Sequence, residues 1–343
     1  QHVGRLEGLR FHPDETGSGE ERKALMAAAN RTLQREIGHR VISLSADPDA
    51  AFTLHDDAAI IWRGAVIARL RGNEHALAPH IDILAHGAVS PEQRDQARSR
   101  LSRWLDALIA EDLGPLIGLR DADIDGPGRG LAYQLVEALG SLRRKSAAPL
   151  IRAVTPENRK ALRRLGVRIG AESVYVPVLI KPRAARLRAM LWQVYKDEAI
   201  RPPPAPGLTS LIPDPNCNEG FYEASGYRLI GGQALRIDIL DRLAVILLRL
   251  VRGGPFELSH EILSLLGLSA DQALPVIAAL GYRMRETPDG PRLARSKANR
   301  HPAGASAKRK PKQPQSAQKA KPRQIPVDPD SPFAKLQELR IAK

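Results

Sequence analysis

The sequence predicts an α+β chain, predominantly helical with small antiparallel sheets, and three observations carry that expectation. Apolar residues recur at i, i+3, i+4 and i+7 in several segments, as in Leu101, Trp104, Leu105 and Leu108. Short runs rich in β-branched and aromatic residues lie between those segments, bounded by Gly, Pro or Asp. Capping signatures mark helix starts, with Ser90-Pro91-Glu-Gln and Ser269-Ala-Asp-Gln the clearest.

Taken in order, residues 2–11 alternate apolar and polar and read as a strand, with a loop at 13–19. Residues 20–37 read as a helix. Strands follow at 51–54, 60–62 and 65–70, turned at Asp56-Asp57 and Arg63-Gly64. The helix opened by Ser90 is expected to stop at Gly114-Pro115, since proline breaks the backbone ladder. Residues 121–130 read as a loop and 131–142 as a further helix.

The stretch 156–195 organises the rest. It begins as a basic helix with Pro156 in its first turn and Gly166 as its stop. A strand or hairpin over 167–180 follows, broken near Gly170 and Pro177. Helical spacing returns over 183–195, with Leu187, Met190, Leu191 and Val194 on one stripe. Cations flank the strand on both sides: Arg159, Lys160, Arg163 and Arg164 before it, Lys181, Arg183, Arg186 and Arg188 after it. Such a strand between two basic helices fits a grip on a phosphate backbone, and equally an ordinary solvated rim.

Beyond it, 201–215 is rich in proline and reads as a linker or covering arm. Residues 221–230 read as a strand and 235–251 as a strongly apolar helix. Helices at 257–266 and 269–280, then a hairpin around Asp289-Gly290, complete the order of a winged-helix module. Its second short helix carries no Lys or Arg and contains Pro275, poor equipment for reading bases. Residues 296–330 have almost no large apolar side chains and are expected to be disordered. Helical spacing resumes over 331–341 with Phe333, Leu336 and Leu339 on one side, a tethered helix for docking on the body of the same protein or on a partner. Four regions result: an α+β accessory domain at 1–150, a basic helix-strand-helix region with its proline-rich arm at 151–231, the winged-helix-like module at 232–295, and the basic tail at 296–343.

The formal charge is +14, unevenly placed. Residues 291–343 hold fourteen Lys and Arg against three carboxylates. The tail cations Lys308, Arg309, Lys310 and Lys312 attract polyanions without choosing among them, because counterion release is independent of sequence. The single cysteine, Cys217, excludes an intrachain disulfide and a cysteine-built zinc site, and fits a reducing, cytoplasmic setting. No run approaches the roughly 20 apolar residues of a membrane helix, so no membrane partner is expected. The chain opens on Gln1, directly in a strand pattern, and reads as a piece of a longer protein.

Motifs for chemistry are incomplete. Asp121-Ala-Asp-Ile-Asp-Gly126 matches half of a calcium loop, but Ala132 stands where the bidentate carboxylate is required. Gly126-Pro-Gly-Arg-Gly130 lacks the Lys-Ser/Thr ending of a phosphate loop. Asp197-Glu-Ala-Ile200 falls at a helix end, and His75, His80 and His86 with Asp82 fit no zinc spacing. No catalytic residue, metal ligand or bound cofactor is expected in this chain.

Several motifs, in order, nevertheless resemble one family. Gly4-Arg-Leu-Glu-Gly-Leu-Arg-Phe11, Trp62-Arg-Gly-Ala65, Arg129-Gly-Leu-Ala-Tyr-Gln-Leu135, Leu179-Ile-Lys-Pro182 and Arg236-Ile-Asp-Ile-Leu-Asp-Arg-Leu243 look like the C-terminal region of proteobacterial DExH-type helicases. These are similar to the mitochondrial RNA helicase that works with RNA-degrading enzymes. The resemblance implies a preceding ATPase core in the same protein, which would supply ATP and magnesium chemistry. None of the core's motifs is present here, so the implied role is accessory: contact with nucleic acid, RNA ahead of DNA, or docking of an RNA-degrading partner. A protein–protein scaffold that touches no nucleic acid is the alternative.

Overall fold

The computed structural model describes residues 4–13, 19–85, 89–288 and 290–296. The chain divides into two units, Gln1–Arg300 and His301–Lys343. The second, with Lys308, Arg309, Lys310, Lys312, Phe333, Leu336 and Leu339, lies outside the described residues.

The first unit is α+β and predominantly helical, with small antiparallel sheets. Gly4–Glu7 (β1) and Arg10–Pro13 (β2) form a hairpin where one continuous strand was expected. The turn is made at Gly8, whose φ of +55° is easy only without a side chain. A Cβ there would also come within 2.9 Å of Ile67 Cγ2. The helix Gly19–Ala46 (α1) runs past the expected end and buries Ile37, Val41 and Leu44, one stripe at i, i+4 and i+7. Arg40 Nη1 donates to the Gly8 carbonyl at 3.0 Å and fixes α1 against the hairpin turn.

Phe52–Leu54 (β3), Ala59–Trp62 (β4), Ala65–Arg71 (β5) and His80–Ile83 (β6) form an antiparallel meander, the last strand unforeseen from sequence. Pro91–Arg120 (α2) starts with the capping box expected of Ser90 and Gln93. It does not stop at Gly114-Pro115. The backbone leaves helical geometry at Leu113 (φ −118°, ψ 21°), where Pro115 cannot continue the ladder, and then resumes. Leu116 and Leu119 beyond the kink are wholly buried, so packing outweighs the break.

Gly126–Glu137 (α3) begins and ends about one turn earlier than periodicity suggested, because Leu139 and Gly140 take φ of 51° and 96°. Ser141–Arg143 (β7), Ala148–Ala153 (α4) and Pro156–Arg164 (α5) follow, the last capped by Thr155 and stopped at Gly166 with φ of 85°. The 167–180 stretch is a hairpin of Arg168–Ile169 (β8) and Ser173–Tyr175 (β9), joined to β7 and followed by a 3₁₀ turn at Pro177–Ile180. Pro182–Lys196 (α6) comes next. One continuous core runs from Leu9 to Val194 through most of these elements.

Ser210–Leu211 (β10), Glu219–Ala224 (α7), Tyr227–Ile230 (β11) and Gln233–Arg236 (β12) build a further three-stranded sheet in the order β10-β12-β11. Residues 221–224, the start of the expected 221–230 strand, are instead helical, in a helix started by Asn218, whose Oδ1 accepts from Gly220 N at 2.9 Å. Ile237–Leu250 (α8), His260–Leu266 (α9), Ala270–Ala279 (α10), Tyr282–Thr287 (β13) and Gly290–Arg295 (β14) form the winged-helix-like module. Phe256 bridges to Leu293 as its third strand position, and α9 and α10 meet at 85°. Leu240, Leu243, Leu247, Ile262, Val276 and Leu293 fill a second core. Among the described residues no single helix is long and apolar enough to cross a membrane.

Candidate nucleic-acid interface

The β8–β9 hairpin is held from behind by a buried polar network. Asp241 on α8 accepts from the backbone N–H of Glu172 and Ser173 at 2.8 and 3.0 Å. Gly170 makes that approach possible, since a Cβ there would overlap the Asp241 carboxylate. Arg144 Nη1 donates to Gly170 O at 2.7 Å, and Arg228 lies buried 3.7 Å from the Glu223 carboxylate. Burial pushes the Asp241 carboxyl up, and it pushes Glu172 up as well, with the Asp241 charge adding to it. The network joins the first core to the winged-helix-like module and fixes the hairpin backbone.

In front of the hairpin lies a groove of about 760 Å³. Arg168 of β8, Lys181 and Arg186 at the start of α6, and Arg236 line it beneath the arm at 202–207. Consecutive prolines set φ and stiffen that arm into a fixed wall. The first turn of α6 faces the same space: its N-cap, Lys181, makes no capping bond, and Pro182 occupies the next position. The positive end of the helix dipole therefore adds to the side-chain cations.

The groove's charge is smaller than its arginine content suggests. Arg183 sits between Glu111 and Asp112, at 3.0 and 2.9 Å, and these two carboxylates hold its guanidinium above the ordinary range. Arg186 is paired with Asp56, and Arg236 with Asp238 at 2.7 Å. Lys181 meets no carboxylate among the described residues. Arg168 stands opposite Tyr175 across the strand pair, and its interaction with that phenol holds it up. Arg168 and Lys181 are thus the cations most available to a ligand. Sequence reasoning missed Arg168 and Arg236, which carry no local signal; only the folded arrangement brings residues 168, 181 and 236 together.

The remaining candidates divide. Lys160, Arg163 and Arg164 are exposed on α5 and meet no acid among the described residues, but they line no part of the groove. Arg159 is committed to structure: its Nη2 donates to Ile151 O at 2.6 Å, closing the end of α4. Arg188 is corrected outright. It is 1 % exposed, donates from Nη1 to Leu179 O at 2.9 Å, and burial lowers its guanidinium to about 10. Its spacing gave the signal, since position 188 falls on the stripe of Ala184, Leu187 and Leu191.

Among the described residues no group of three or more His, Cys, Asp or Glu is placed to hold a metal ion. The site can bind and orient an anionic chain; it presents no nucleophile paired with a base. Compared with protein-family models, with curated proteins and with solved structures, the chain matches none.

Proposed function

We propose that this chain is the non-catalytic region of an ATP-dependent helicase and holds single-stranded nucleic acid, RNA ahead of DNA, in the groove under the proline arm. The supporting observation is the convergence of Arg168, Lys181 and the open start of α6 on one groove with rigid walls. Phosphates along a strand are the ligands such a row of donors suits. In this reading ATP and magnesium belong to the helicase core of the same protein, an RNA-degrading enzyme is its partner, and the setting is cytoplasmic.

The test is the salt dependence of binding to a single-stranded RNA, measured by fluorescence anisotropy on the full chain. Each phosphate contact on a single strand contributes about 0.7 to the slope of log K against log salt. The Arg168→Ala, Lys181→Ala double variant should therefore flatten the slope by roughly 1.4. An unchanged slope would remove the groove from the account.

A scaffold role has one observation in its favour. Val245 and Leu248 lie one turn apart on α8 and are 57 % and 38 % exposed. Val245→Asp should abolish capture of an RNA-degrading enzyme and leave RNA affinity intact if that face docks a partner; a captured enzyme that ignores the substitution would rule the face out.

A further inference from the structure

We infer that the chain carries a second binding site, for a planar heteroaromatic ring bearing a phosphate, in a pocket at the C-terminal end of α6. The pocket has a volume of about 280 Å³ and shares no lining residue with the groove. Ligand sites usually measure ~300–1,000 Å³, so it suits one ring system with a small polar attachment.

Four segments build it: the 72–79 loop, the end of α2, the outer face of α3 and the end of α6. The loop is held in place. A Cβ on Gly72 would come within 2.8 Å of Val194 O, and Asn73 Nδ2 donates to Ala78 O at 2.9 Å, closing the turn. Leu119, wholly buried, and Val136 form an apolar floor.

The polar groups point to the ligand's chemistry. Tyr133 is 59 % exposed at the pocket, a large ring on the solvent face of a helix whose other face buries Leu131, Ala132 and Leu135. Tyr195 forms another wall, with Lys196 Nζ 4.7 Å from its ring centre. Such rings stack on any base because every base has a π-face. His75 Nδ1 and Glu137 Oε1 stand 3.9 Å apart at the edge, a donor and an acceptor for the rim of a heterocycle. Arg120 and Arg129 complete the lining, and each has spare N–H groups: Arg120 donates to Asp121 and Arg129 to Ala122 O. Two aromatic walls, a mixed donor–acceptor edge and two guanidinium groups match a nucleoside 5′-monophosphate unit better than a purely apolar ligand.

That unit could come free or as one nucleotide of a strand, and calorimetry on the full chain separates the two. AMP should bind more tightly than adenosine or ribose 5-phosphate, and Tyr133→Ala should weaken it roughly tenfold or more. Tyr133→Phe, which keeps the ring, should retain most of the affinity. Arg129→Ala should weaken AMP and leave adenosine unaffected. The Arg168→Ala, Lys181→Ala double variant should leave AMP binding unchanged, so failure of the groove and failure of the pocket are distinguishable. A 5′-phosphorylated tetra-adenylate that binds at least tenfold tighter than AMP, with the gain lost in Tyr133→Ala, marks a strand as the source; equal affinity marks the free nucleotide. AMP binding that is absent, or that is unmoved by both Tyr133→Ala and Arg129→Ala, overturns the site.

Discussion

Replacing Asp241 by alanine tests how the groove is held in shape. The Asp241 carboxylate accepts two backbone N–H groups at 2.8 and 3.0 Å, from Glu172 and Ser173, at the turn of the hairpin that carries Arg168. Hydrogen bonds to a charged group contribute about 1.5–3 kcal/mol each. Removing the acceptor also strands the two donors and deprives buried Arg228 of a nearby negative charge. Against this, burial already pushes the carboxyl up, so part of the gain is offset by desolvation. The balance is a cost of about 3 kcal/mol, or a fall in Tm of roughly 6 °C for a chain of this size. Asp241→Asn keeps an acceptor and should cost about half as much. Thermal and urea unfolding of the two variants give the comparison. An alanine variant within about 1 kcal/mol of the wild type would show that the network does not hold the hairpin.

Other expectations follow from the same residues. Glu172 and Asp241 are both held above the usual carboxyl range, mainly by burial. A raised native pKa gives stability that is complete below the unfolded value and lost as pH rises through the native one. Glu172→Gln should therefore gain stability relative to wild type as pH rises above the ordinary glutamate value of 4.5, read as a widening difference in Tm; a constant difference contradicts the assignment. Arg188→Ala leaves the Leu179 carbonyl without its side-chain donor and a cavity in the core, and should cost about 2–5 kcal/mol in urea unfolding. Arg186→Ala, two residues away, breaks an exposed pair with Asp56 and should cost under about 1 kcal/mol. Equal costs would contradict the placement of the two arginines.

The features legible in the sequence are those set by local chemistry. The capping boxes at Ser90 and Ser269, the Pro156 start and Gly166 stop of α5, and the hairpin turn after Thr287 depend on residues within a few positions of each other. Tertiary packing decided the rest. α2 continues past Pro115 because Leu116 and Leu119 have a core to enter, which no local rule reveals. Residues 219–224 have the aromatic content of a strand, yet Asn218 caps them into a helix whose Phe221 and Tyr222 fill a small core of their own. For the site, basic clusters were visible and their fate was not. Lys181 faces the groove, Arg183 and Arg186 are met by acids more than 70 residues away in sequence, and Arg159 closes a helix. The pocket beside Tyr133 gathers four distant segments and left no pattern along the chain.

The central claim is that the groove grips the strand and that the basic tail alone does not account for binding. Photo-crosslinking of a 4-thiouridine-substituted single-stranded RNA to the full chain, mapped by mass spectrometry, tests it most directly. Crosslinks in peptides covering residues 168–186 and 202–207 are the expected result. Crosslinks confined to residues 297–343 would contradict it.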